Sequence, residues 1–139
     1  MFSKKENFIR LVFLLIFIGI FALIAVHFLR EDGDFIANSM SNYAASEYGY
    51  VAEIGFVAFI IAEFIVGFLL LDGKNWKMKT AAALFFLCGI CLIFATIFND
   101  DIDGIIETRC DYIHLTAAII VFTICPAKIF LLGSNFRKK

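Results

Sequence analysis

Four long apolar runs separated by short polar intervals set the pattern of the chain: Leu11 to Leu29, Tyr50 to Leu71, Thr80 to Phe98 and Ile113 to Leu132. A hydrocarbon core about 30 Å thick takes roughly 20 mostly apolar residues of helix, so each run predicts one membrane span. Only helices and closed barrels satisfy their backbone groups in lipid, and the runs lack the alternation of a barrel strand. The intervals at 30–49, 72–79 and 99–112 leave too little chain for a soluble domain. The pattern therefore predicts an all-α protein, a single membrane domain over residues 1–139 built as an up-and-down four-helix transmembrane bundle. It contains no internal repeat and no low-complexity segment.

Composition agrees. Of 139 residues 62% are apolar and 18% charged, with 18 Phe and one Pro, against about 45–50% and about 25% in soluble domains. This excludes a soluble fold, a disordered tail and a disulfide mini-protein. Lys4, Lys5 and Arg10 before the first span suggest a signal peptide, but the apolar run is too long for an ordinary h-region and residues 22–27 offer no A-x-A site. An uncleaved anchor is expected.

The net charge of −1 hides a strong segregation. Lys4, Lys5, Arg10, Lys74, Lys77, Lys79, Arg137, Lys138 and Lys139 fall on one side of the predicted bundle; only Arg30 and Arg109 fall on the other, among nine Asp and Glu. The positive-inside rule then places both termini in the cytoplasm. All four Tyr lie on the outer side and the single Trp, Trp76, on the inner, which fits interfacial aromatic belts.

Three formal charges fall within the spans: Glu53 and Glu63 in the second, Lys128 in the fourth. Intramembrane charge costs roughly 2.5–3.5 kcal/mol per group on insertion scales and usually faces the bundle interior with a partner. Spans two and four run the same way, so residues at similar distances from their outer ends share a depth. Glu63 and Lys128 then form a candidate ion pair, and Glu53 lies level with His114. The stripe His114, Ala118, Val121, Cys125 and Lys128 would face span two. Three readings stay open: snorkelling of Lys128 to the headgroups with Glu63 protonated, a structural pair, or a proton, ion or substrate path.

His27, Glu53 and His114 could approach one another at the outer end, but three single residues on three helices make a weak zinc signal, and no metal is expected. The acidic stretch 99–111 lacks EF-hand spacing and reads as a solvated outer loop. Cys88-Gly89-Ile90-Cys91 has the spacing of a thiol oxidoreductase pair, yet lies near mid-span, where low dielectric keeps a thiol protonated and inert. Only Cys110 is plainly outside, so no disulfide framework is expected. Gly55, Ala58, Ala62, Ala81 to Ala83, Gly89, Ala95, Ala117 and Ala118 are candidate helix contacts, with the Phe-rich remainder toward lipid. Pro126 cannot bond back to the Phe122 carbonyl, which makes the region beside Lys128 the place to expect a kink and a cavity.

Two stretches resemble a known family. Ser41-Asn42-Tyr43-Ala44-Ala45-Ser46-Glu47-Tyr48-Gly49-Tyr50 is similar to the S-x-x-x-x-G-x-x-G-W motif that leads into a span in domain of unknown function 998, a family of bacterial integral membrane proteins. Phe98-Asn99-Asp100-Asp101 followed by His114 and Ala118 resembles the same family's F-P-x-D and H-x-x-x-A. Ser46 stands for Gly, Tyr50 for Trp and Asn99 for Pro, and the family usually has six spans. The resemblance implies a relation to Frag, DRAM and Sfk type proteins, a bacterial cytoplasmic membrane and no established reaction. It marks Ser41, Gly49, Asp101 and His114 as positions of interest. Asp101 accepting from the His114 imidazole would pin the loop between spans three and four.

The expected function is a non-enzymatic accessory protein with a polar outer vestibule that binds membrane lipid, a membrane protein partner or a second copy, and the candidate polar site comprises Glu53, Glu63, Asp101, His114 and Lys128. No catalytic residue, cofactor, metal or nucleic acid is expected. The alternatives are a small proton- or ion-coupled transporter or channel subunit, and a thiol oxidoreductase using Cys88 and Cys91.

Overall fold

In the computed structural model, residues 3–29, 47–98 and 108–136 are described. They form four helices and, among the described residues, no strand: α1 (Lys4–Leu29), α2 (Gly49–Leu71), α3 (Trp76–Ile97) and α4 (Arg109–Phe136). All four are long and apolar enough to cross a membrane.

The helices run past the limits of the apolar stretches, because capping rather than hydropathy decides where they begin. α1 opens with a reciprocal box: Ser3 Oγ accepts from the Glu6 N–H at 3.2 Å, and Glu6 Oε2 accepts from the Ser3 N–H at 2.8 Å. Asn75 caps α3 by accepting from the Met78 N–H at 2.9 Å. At α4, Asp111 Oδ2 accepts from the Thr108 N–H at 2.7 Å and from its hydroxyl at 2.8 Å, while Thr108 Oγ1 accepts from the Asp111 N–H at 3.3 Å. A buried carboxylate is tolerable there because the cap uses it. At 1.5 Å per residue, helices of 22 to 28 residues span about 33–42 Å, so their ends reach the headgroup layer.

Among the described residues each helix packs only on its neighbours in the chain: α1 on α2, α2 on α3, α3 on α4. The bundle is therefore open, with α1 and α4 as edges and α3 between α2 and α4.

Small residues set the contacts, as dispersion without a hydrophobic drive requires in lipid. A Cβ placed on Gly55 would lie 3.1 Å from the Gly19 carbonyl oxygen and 3.2 Å from Ala22 Cβ, so α1 and α2 meet backbone to backbone. Elsewhere a phenyl ring fills a glycine notch: Phe59 lies over Gly19, Phe86 over Gly67 and Phe64 over Gly89. Ala52, Ala58, Ala62, Ala81, Ala82 and Ala117 are buried, but Ala83 is exposed. Phe13, Phe17, Phe21, Phe28, Phe68, Phe122 and Phe130 point outward.

One end of the bundle is tied by polar contacts. Lys5 Nζ bonds Asp72 Oδ2 at 3.0 Å, Lys77 Nζ bonds the Ser134 hydroxyl at 3.0 Å, and Asn75 donates to Asn135. These gather the start of α1, the α2–α3 turn and the end of α4. Exposed Lys4, Lys5, Arg10, Lys74 and Lys79 make this the basic end. Trp76 is exposed here, and Tyr50 and Tyr112 are exposed at the opposite end.

Candidate functional site

Glu63 lies eight residues from Leu71, the basic-end terminus of α2, and Lys128 eight from Phe136, the basic-end terminus of α4. At 1.5 Å per residue both are about 12 Å inside. α3 keeps the two backbones apart, and the side chains meet across its face. Lys128 Nζ donates to both carboxylate oxygens of Glu63 and to Cys88 Sγ, the latter at 3.5 Å. It also sits 4.3 Å from the centroid of the Phe85 ring, whose π face attracts a cation. Phe85 and Cys88 are one turn apart on α3 and present the same face. An ammonium has three hydrogens, and here each has an acceptor. The two side chains are only 5% and 17% exposed, so the charges are withdrawn from lipid and spent on each other.

The sequence places the pair by counting depth along two parallel helices. It does not reveal Phe85 or Cys88 as partners, although their i, i+3 spacing opposite Lys128 is the signal that finds them once α3 is known to lie between α2 and α4. Nor is α4 turned as expected. Ala117, Ile124 and Lys128 are buried, whereas Ala118 and Cys125 are only half-buried, so the packed stripe is shifted by about one residue. The helix continues through Pro126. The grooves lie elsewhere: one between α3 and α4, floored by Cys91, Phe94 and Ala117, and one between α1 and α2 at the basic end.

The remaining candidates are not brought together. Glu53 is exposed on α2, and α2 does not pack on α4, so no Glu53–His114 contact closes a vestibule. His27 belongs to α1, on the far edge from α4. Asp101 and Ser41 lie outside the described residues. His114 faces backbone: Nδ1 is 2.9 Å from both the Ala95 and the Phe98 carbonyl oxygens. Because both neighbours are acceptors, Nδ1 carries the hydrogen and shares it between them. His114 thus caps the last turn of α3 from α4, where carbonyls lack helical partners. Gly49 is buried at the start of α2. Cys88 and Cys91 are buried free thiols on α3, Cys91 in the α3–α4 groove; Cys110 is exposed.

A family model described as protein of unknown function (DUF998) matches residues 12–139. The chain belongs to the DUF998 family. The resemblance of residues 41–50 and 98–118 pointed to the same family, and the match takes in both stretches together with Lys128 and the three residues around its ammonium. No curated protein and no solved structure matches the chain. As a DUF998 protein it is a small, multi-helix membrane-type chain whose family assigns no reaction.

Proposed function

We propose that this DUF998 protein is a non-enzymatic accessory protein of the bacterial cytoplasmic membrane, with both termini in the cytoplasm, acting by binding lipid or a membrane partner along its open edges. The observation that carries this reading is the internal use of its deep charges. Glu63 and Lys128 neutralise each other and, with Cys88 and Phe85, complete the ammonium's coordination. A transport site needs a charge that exchanges partners with the cargo; here the partners serve to lock α2, α3 and α4 in register. The edge helices meanwhile present Phe17, Phe21, Phe122 and Phe130 outward.

The test is reconstitution of the full chain in vesicles holding a pH-sensitive dye. Under an imposed proton or potassium gradient, wild-type and empty vesicles should relax at the same rate. A protein-dependent flux abolished by Glu63→Gln would replace this reading with a proton- or ion-coupled pathway through the pair.

A further inference from the structure

At the basic end α1 and α2 part company. From Lys4 to Leu11 every residue of α1 is exposed, although Val12, Gly19, Ala22 and Val26 are buried. At the tip Lys5 of α1 is joined to Asp72 of α2 by an ion pair of 3.0 Å. Between the tip and the first buried residue lies a groove floored by Phe8, Ile65 and Phe68, with Lys4, Lys5 and Asp72 at its mouth. From Ile65 to Asp72 it runs about 10 Å along the helix, beginning at headgroup level and descending toward the acyl chains.

We infer that this groove is a binding site for a singly anionic glycerophospholipid of the basic-end leaflet. The phosphodiester would sit between Lys4 and Lys5, and one acyl chain would lie on Phe8, Ile65 and Phe68. The charge balance selects the headgroup: two ammonium groups less one carboxylate leave one positive charge, which matches one phosphodiester. The apolar floor selects a lipid over free phosphate, because only a lipid fills the groove as well as neutralising its mouth. Basic pockets between membrane helices on the cytoplasmic side recognise anionic headgroups by this combination. The inference deepens the binding reading above by naming the lipid class, and its test shares no readout with the flux assay, so either can fail alone.

The test uses the full chain in vesicles containing acyl-brominated phosphatidylglycerol or phosphatidylcholine, which quench a tryptophan on contact. A Phe8→Trp, Trp76→Phe variant carries its only tryptophan in the groove. The native Trp76, exposed beside Lys74, Lys77 and Lys79, reports the general enrichment of anionic lipid at the basic end and should keep its own preference when Lys4 and Lys5 are replaced. Each net positive charge at the surface favours an anionic lipid by roughly fivefold. Quenching at position 8 should therefore prefer phosphatidylglycerol over phosphatidylcholine by about fivefold. Adding Lys4→Gln and Lys5→Gln to the reporter should remove the preference, while inorganic phosphate should leave it intact. No preference at position 8, a preference that survives loss of both lysines, an equal fall at Trp76 when Lys4 and Lys5 are replaced, or suppression by phosphate alone would each overturn the assignment.

Discussion

Replacing Glu63 by Gln leaves the Lys128 ammonium in place without its counter-charge, and the structure allows it little relief. The residue is 4% exposed, and the basic-end terminus of α4 lies about 12 Å away along the helix axis, beyond the reach of a lysine arm. Breaking a buried pair by removing one partner costs about 3–5 kcal/mol. The Phe85 ring contacts the cation in both proteins and does not offset the loss, so Glu63→Gln should cost about 3–5 kcal/mol. Lys128→Met leaves the carboxylate without its ammonium and should cost at least as much. The double variant leaves no unpaired charge and should fall within about 1 kcal/mol of wild type, because apolar replacement of a buried pair is often neutral. Unfolding by titrating sodium dodecyl sulfate into dodecylmaltoside micelles, followed by circular dichroism, gives all three values. The cycle should show a coupling energy of about 3 kcal/mol or more. Strict additivity, with the double variant as unstable as the sum of the singles, would refute the claim that the two groups are paired.

Three further outcomes are expected in the same titration. Gly55→Ala puts a methyl 3.1 Å from the Gly19 carbonyl oxygen and 3.2 Å from Ala22 Cβ and should cost about 1–3 kcal/mol as overpacking; Gly133→Ala, with nothing within 4 Å of the new methyl, should be neutral or stabilising by up to about 1 kcal/mol. A reversed order would contradict the backbone-to-backbone packing of α1 on α2. Thr108→Ala removes the hydroxyl from the α4 cap and should cost about 1 kcal/mol, with no loss meaning that the cap does not support the helix start.

The four spans were legible because unbroken apolar runs near the bilayer thickness admit few alternatives. The Glu63–Lys128 contact was legible for a related reason: two helices running the same way convert residue number into depth, and two opposite charges at one depth in lipid have strong cause to meet. Contacts that depend on which helices are neighbours were hidden. With α3 between α2 and α4, long side chains such as Lys128 and Glu63 can bridge, whereas Glu53 remains outward and His114 turns to the α3 carbonyls. Helices α1, α3 and α4 begin before the apolar runs do, because Ser3–Glu6, Asn75 and Thr108–Asp111 are polar caps outside those runs. The α1–α2 groove was hidden too, since it arises where the mixed polar and apolar stretch from Lys4 to Leu11 lies exposed beside α2, and those residues do not themselves say which helix is their neighbour.

The proposed topology, four crossings of the bilayer with the basic end in the cytoplasm, can be probed at the exposed Cys110 near the start of α4. In a variant retaining only that cysteine, a membrane-impermeant maleimide added to intact cells should label it. With Cys110 also replaced and Lys74→Cys introduced in the turn after α2, labelling should require permeabilised cells. Labelling of Lys74→Cys in intact cells, or of Cys110 only after permeabilisation, would contradict the account.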